Sequence, residues 1–207
     1  MCRILTLDLL RHGETQGGAI YRGRTDSPLT PLGECQMKDA LSLHMSREQW
    51  QAVYSSPLQR CLQVADEYCQ TESIPLHLDD RLQELDFGDW DGLTLAQVWE
   101  KYPDQSDAFW RDPASNPPPG GESTDALQRR LRLLLEELYV SESTSLLLIT
   151  HGGVIRALIA MALELPSSHW SRLELGHGSV SRLRIGLDKQ QRLEWISVVF
   201  VNQQVFK

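Results

Sequence analysis

Apolar runs of strand length alternate with helix-spaced apolar stripes along most of this chain. Ile4–Leu10 is nearly continuous apolar sequence, as in a buried strand, and the charged, Gly-rich stretch after it reads as a long loop. Thr30 before Pro31 is a capping residue followed by a proline at the first helical position, which predicts a helix running to about Met45. Val53-Tyr54-Ser55 is a short strand, and Ser56-Pro57 opens the next helix in the same way. On that helix Leu58, Cys61, Leu62, Ala65 and Cys69 share one face. Ile74–Leu78 is a further strand. Thr94 and Gln97 form a capping-box pair, and Leu95, Val98, Trp99 and Tyr102 follow before Pro103 stops that helix. The Asn-Pro-Pro-Pro-Gly-Gly run at 116–121 is a loop within the domain. Leu127, Leu131, Leu134, Leu135 and Leu138 mark a strongly amphipathic helix. Ser145–Thr150 is a buried strand, Val154–Leu163 a helix, and Ser179–Ile185 and Leu193–Val201 are closing strands.

Strands alternating with helices define the α/β class: a mostly parallel central sheet covered on both faces, a three-layer α/β/α sandwich, in a single domain over residues 1–207. Composition narrows what such a domain does. With 41% hydrophobic and 23% charged residues the chain is ordinary globular material, not a disordered one. Its 28 acidic and 20 basic side chains leave a net charge of −8, and the isoelectric point is near 5.2. That balance argues against a nucleic-acid partner, yet it allows a small phosphorylated substrate in a locally basic pocket. No basic stretch leads into a long apolar core at the N-terminus, and no apolar run is long enough to cross a bilayer. A soluble, cytoplasmic protein with no membrane partner is the expectation. Cys2, Cys35, Cys61 and Cys69 lack metal-ligand or disulfide-framework spacing, and Cys61 and Cys69 read as buried free thiols. No exposed apolar strip assigns a subunit interface, so monomer and homodimer both stay open.

In open α/β sheets, ligands sit beyond the carboxyl ends of the strands. Two places satisfy that rule: Leu10-Arg11-His12-Gly13-Glu14-Thr15 after the first strand, and Thr150-His151-Gly152-Gly153 after the Ser145–Thr150 strand. A lone histidine is more often structural than catalytic; two at strand ends, each beside glycine, are a different matter. Arg11 adds a guanidinium able to fork onto phosphate oxygens. Arg60, in the first turn of its helix, lies near the positive end of the helix dipole, although alone it reads as a solvated arginine. The segment Arg81 to Gly92 interleaves acids with Leu82, Leu85, Phe87 and Trp90. An apolar setting raises a carboxyl pKa toward that of a proton donor, so Glu84, Asp86, Asp89 and Asp91 are all candidates on chemistry alone.

These segments resemble, in family order, the motifs of the histidine phosphatase superfamily, the phosphoglycerate mutase-like proteins. The resemblance runs from Leu10–Thr15 through Tyr21–Thr30 and Gly33, Ser55–Arg60, Glu84–Thr94 and Gly120–Ser123 to Thr150–Gly153, roughly residues 4 to 185. It implies a phosphoglycerate mutase-like fold and a phosphoryl transfer that needs no metal or other cofactor. By the same resemblance His12 is the nucleophile that becomes phosphorylated, and Arg11, Arg60 and His151 hold the phosphoryl oxygens. Glu84 is the acid that protonates the leaving oxygen and then activates water. Thr15, Gly23 and Gly152 join the phosphate- and substrate-binding set. Gly18 is a departure, since many relatives have asparagine there. Gln16 or a backbone N–H of the loop is the expected substitute.

The stretch Phe87 to Thr94 resembles the small phosphatase branch, including alpha-ribazole phosphatases of cobalamin assembly and fructose-2,6-bisphosphatase-like enzymes. Alpha-ribazole 5′-phosphate is the first substrate expectation, followed by broad phosphomonoester hydrolysis. Trp90, Trp99, Phe109 and Trp110 are candidates to stack on a planar base, or else simply core and lid packing. Two other readings stay open: a mutase that returns the phosphoryl group to product, and a non-catalytic phosphate-binding module.

Overall fold

The computed structural model describes residues 3–45 and 49–205; Cys2 lies outside the described residues. Its sheet has six strands: β1 (Arg3–Arg11), β2 (Ala52–Ser55), β3 (Leu76–Leu78), β4 (Ser145–Thr150), β5 (Val180–Leu187) and β6 (Leu193–Gln203). Their order is β3-β2-β4-β1-β5-β6. The four strands from β3 to β1 are mutually parallel, whereas β5 runs antiparallel to both β1 and β6.

The helices are α1 (Pro31–Met45), α2 (Gln59–Glu72), α3 (Leu95–Lys101), α4 (Pro103–Arg111), α5 (Thr124–Val140) and α6 (Gly152–Ala162). Strand alternation sorts them into two layers. On β4, Leu146 and Leu148 face the cluster that holds the α5 leucines and Val154, Ile155 and Leu158 of α6. Leu147 and Ile149 face the other cluster, with Met37, Ala40 and Leu41 of α1 and Cys61, Val64 and Ala65 of α2. Five of the six α5 leucines (all but Leu133) are at most 5% exposed, and each contributes about 1.5–3 kcal/mol of burial. Asp8 sits on the α1/α2 side of β1, fully buried. It is held by Arg182 at 2.7 and 2.9 Å and by Trp50 Nε1 at 2.8 Å, so its charge is matched in place.

Several boundaries differ from expectation for local reasons. Ser56-Pro57 does not open α2. Leu58 is still extended, and the Gln59 amide is capped at 2.8 Å by Asp26 from a distant loop. Pro103 ends α3 and also begins α4, which the sequence reading left out. β3 is shorter than Ile74–Leu78, because the Ile74 amide closes the end of α2 on Cys69 O. The capping box of Thr94 and Gln97 is present in both directions, at 3.2 and 2.9 Å. Among the described residues no helix is long and apolar enough to cross a membrane.

Candidate active site

β1 and β4 end at the same edge of the sheet. Arg11 pairs with Thr150, and the His12 amide donates to Thr150 O at 2.9 Å, which places His12 and His151 side by side. Their ring centroids are 5.2 Å apart. The chain leaves β1 toward the α1/α2 layer and β4 toward the α5/α6 layer, so a crevice opens between the two exits.

His12 is buried, and its Nδ1 lies 2.7 Å from Gly13 O. A carbonyl oxygen only accepts, so Nδ1 carries the ring proton and Nε2 keeps its lone pair. Burial, then the charges of Arg60 and Arg11, push the His12 pKa well below the ordinary histidine value. The ring is neutral at pH 7. His151 has the opposite tautomer: Arg60 Nε donates to its Nδ1 at 3.1 Å, which leaves the proton on Nε2, 2.8 Å from Ser56 Oγ. Burial and Arg60 push its pKa well down too.

The two arginines serve differently. Arg60 is fully buried: its NH1 donates to Thr25 O at 2.8 Å and its NH2 to Gly23 O at 2.9 Å. It therefore braces His151 and the 22–25 loop instead of lying solvated on α2. Arg11 donates to Leu175 O and lies 3.1 Å from His177 Nε2, while its buried Nε has no partner. Burial lowers its pKa to about 10. Among the described residues neither guanidinium has a carboxylate at ion-pair distance. Two guanidinia with no carboxylate in direct contact make this crevice a place for an anion.

Glu84 reaches the crevice from the loop after β3. Its Oε1 accepts from the Leu85 amide at 2.9 Å and its Oε2 from the Gly153 amide at 3.0 Å. A Cβ at 153 would press on Glu84 Oε1, so glycine there lets the carboxyl lie against the start of α6. Arg130 of α5 fixes the loop, pairing twice with Glu122 at 2.8 Å and donating to Glu84 O at 3.2 Å. Asp86 and Asp91 hold the local loops, whereas Asp89 is exposed. Asp91 accepts the amides of Gly23, Arg24 and Thr25 at 2.8–3.0 Å, and Asp86 accepts that of Gly88 at 2.9 Å. Beside Glu84 opens a cavity of about 260 Å³ with an apolar wall of Leu85, Phe87, Phe109 and Trp110.

The remaining expected residues divide. Gly152 is the first residue of α6, beside Arg11 Nε, at a helix N-terminus pointing into the crevice. Gly23 has its amide engaged by Asp91 and its carbonyl by Arg60, so it positions Arg60 and offers no donor to a phosphate. Thr15 is buried and pairs through its backbone with Leu29, closing the loop. Gln16 does not stand in for the missing asparagine: its Nε2 donates to Leu29 O at 3.2 Å. Gly18 is exposed with φ of 71°, and Arg22 holds its carbonyl at 3.0 Å. Of the four aromatics, Trp90 is fully buried in the core and Trp99 lies outside the cavity lining; Phe109 and Trp110 line it.

Sequence reasoning missed His177, Ser56 and Arg156. The His177 ring lies 5.6 Å from that of His12, tilted by 39°, and burial followed by Arg11 lowers its pKa to about 4. It precedes β5, and the strand-end rule looks only after strands. Because β5 is antiparallel, its beginning lies at the edge where β1 ends. A strand that reverses direction brings its leading loop to the site. Among the described residues no group of three or more His, Cys, Asp or Glu is disposed to hold a metal ion.

A neutral histidine, a second histidine, two arginines without a carboxylate at ion-pair distance and a carboxyl group share one crevice, an arrangement suited to an anion such as a phosphoryl group. The family profile of the histidine phosphatase superfamily (branch 1) matches residues 7–197. The chain belongs to that superfamily. It is 34% identical over 193 residues to the glucosyl-3-phosphoglycerate phosphatase of Mycobacterium tuberculosis (strain ATCC 25618 / H37Rv), covering 87% of this chain and 86% of that one. The native structure of a mycobacterial glucosyl-3-phosphoglycerate phosphatase superposes with a TM-score of 0.86 at 31% identity, over 97% of this chain and 99% of the other. The alpha-ribazole phosphatase of Shigella flexneri superposes with a TM-score of 0.81 at 24% identity over 96% of each chain, a likeness of fold alone.

Proposed function

We propose that this protein hydrolyses small phosphomonoesters through a phosphohistidine on His12. The observation that carries this reading is the His12 ring itself: neutral, tied through Nδ1 to Gly13 O, with its Nε2 lone pair in a crevice of unpaired cations. Nε2 attacks phosphorus in line, the N–P bond forms, and the ester P–O bond breaks. Arg11 and the α6 N-terminus at Gly152 take charge on the equatorial oxygens; Arg60 acts through its field and through His151. Glu84 passes a proton to the leaving oxygen. It then accepts one from the water that attacks phosphorus, and the N–P bond breaks to release phosphate.

The cavity beside Glu84 receives the leaving alcohol. The named mycobacterial relative supports a sugar- or glycerate-bearing ester. Phe109 and Trp110 on the cavity wall support alpha-ribazole 5′-phosphate, a planar-base ester, as the second reading. The test is phosphate release from a panel holding glucosyl-3-phosphoglycerate, 3-phosphoglycerate, alpha-ribazole 5′-phosphate, fructose 2,6-bisphosphate and nucleoside monophosphates, with His12→Ala as control. An ester preferred by orders of magnitude and lost in the control names the substrate. Phosphoryl return to a second acceptor without phosphate release replaces hydrolase with mutase. Phosphate binding without turnover of any ester leaves only a binding module.

A further inference from the structure

We propose that Arg156 selects the leaving group by holding a carboxylate on the alcohol side of the phosphoester. The proposal rests on the hydrolase reading above and adds to it the chemistry of the group that leaves. Arg156 stands on α6, one turn beyond Gly152, and lines the cavity beside Glu84. Its Nε donates to Leu173 O at 3.0 Å, which fixes the plane of the guanidinium. No hydrogen bond among the described residues engages its two terminal nitrogens, and no carboxylate pairs with it. Glu84 does not fill that role, since its oxygens are held by the amides of Leu85 and Gly153.

An arginine anchored through Nε offers NH1 and NH2 end-on, the arrangement that receives a carboxylate through two parallel hydrogen bonds. Its place relative to Arg11 separates the two anions of the substrate. A Cβ on Gly152 would meet Arg156 NH1 at 3.1 Å and Arg11 Nε at 3.4 Å, so the two guanidinia flank that residue. Arg11 lies against Leu175 O and His177 and, on the hydrolase reading, takes the phosphoryl group, while Arg156 lines the cavity. The hydroxyl-bearing residues Ser167, Ser168 and Ser171 also line it, suited to the polar remainder of an acid or sugar acid. Burial works against the charge of Arg156, and the nearby Glu84 is its main electrostatic support, so a bound carboxylate would relieve a cation now short of partners.

The experiment compares 3-phosphoglycerate with glycerol 3-phosphate, which replaces the carboxylate by a hydroxymethyl group, in wild type, Arg156→Met and Arg156→Lys. Wild type should prefer the carboxylated ester. Arg156→Met should lower kcat/KM for 3-phosphoglycerate about 10- to 100-fold, mainly through KM, the range for losing a charge-assisted hydrogen bond. Its loss on glycerol 3-phosphate, and in inhibition by inorganic phosphate, should stay within about threefold. Arg156→Lys keeps the charge without the fork and should fall between; it decides the matter if the methionine variant does not fold. Turnover through phosphohistidine with no preference in wild type overturns the role of Arg156 and leaves the hydrolase standing. An equal fall on both esters, with weaker phosphate inhibition, assigns Arg156 to the phosphoryl group and also overturns it. Absence of a His12 phosphoenzyme with either ester removes the hydrolase reading and this proposal together.

Discussion

The histidine side of the crevice and the carboxylate side are built in opposite ways. His12 and His151 are set by the ends of two adjacent parallel strands in continuous register, and Arg60 locks the second ring to the 22–25 loop. Their geometry follows from the sheet. Glu84 sits on a loop without regular structure, held by Arg130 of α5, by Gly153 of α6 and by Thr150 Oγ1 donating to Leu82 O at 2.6 Å. Its geometry follows from contacts between elements far apart in the chain. Such a division suits the chemistry. On the proposed mechanism, the phosphoryl group is common to every substrate and needs a rigid receptor, whereas the leaving group varies and would meet the loop-built side.

Substitutions on the two sides should separate accordingly. The largest effect is expected for His12→Ala, which should cut turnover by about 10⁴-fold or more and abolish the acid-labile phosphoenzyme, with an unchanged circular dichroism spectrum. Retained phosphoenzyme would move the nucleophile elsewhere. Glu84→Gln should slow alkyl phosphates by about 10²- to 10⁴-fold and p-nitrophenyl phosphate far less, because an activated leaving group needs no proton. Equal slowing of both esters would deny Glu84 its role as acid. Gly153→Ala pushes on the Glu84 carboxyl without touching His12. It should reduce turnover of alkyl esters about tenfold and cost about 1–3 kcal/mol in denaturant unfolding, and an unaffected rate would show that the carboxylate has room to move.

The smallest effect is on stability against pH. His12, His151 and His177 have folded pKa values below the unfolded value near 6.5, His177 at about 4. The unfolded chain therefore binds more protons over that window. Stability is fully present above pH 6.5 and falls as pH drops toward 4. Melting temperatures at pH 7 and pH 5 should differ in wild type, and the difference should shrink in a His177→Gln variant. An unchanged difference would mean that His177 is not buried neutral.

How much was legible in advance follows the same division. The β1 and β4 motifs could be read because a strand end, a glycine and a histidine are adjacent in sequence, and period-two burial on β4 is local. The α5 stripe was equally plain, since Leu127, Leu131, Leu134, Leu135 and Leu138 lie at helical spacing and all are buried. By contrast, four acids between residues 84 and 91 could not be ranked by chemistry. The resemblance singled out Glu84, and the physical difference from Asp91 lies in which amides the folded chain brings to each. For Trp90 the sequence left base stacking and core packing both open, and the fold decides for the core, because α3 and α4 cover it.

By itself the sequence determined the α/β alternation, the two strand-end histidines and the order of motifs that places the chain in its superfamily, all of which rest on neighbours within a few residues. Tertiary structure alone decided the tautomers of His12 and His151, the inward turn of Arg60, the arrival of His177 from an antiparallel strand and the exposure of Arg156 to the cavity beside Glu84. The His12 ring is tied to its neighbour Gly13, but the others depend on hydrogen-bond partners 17 or more residues away, and no local pattern encodes the distance between such groups.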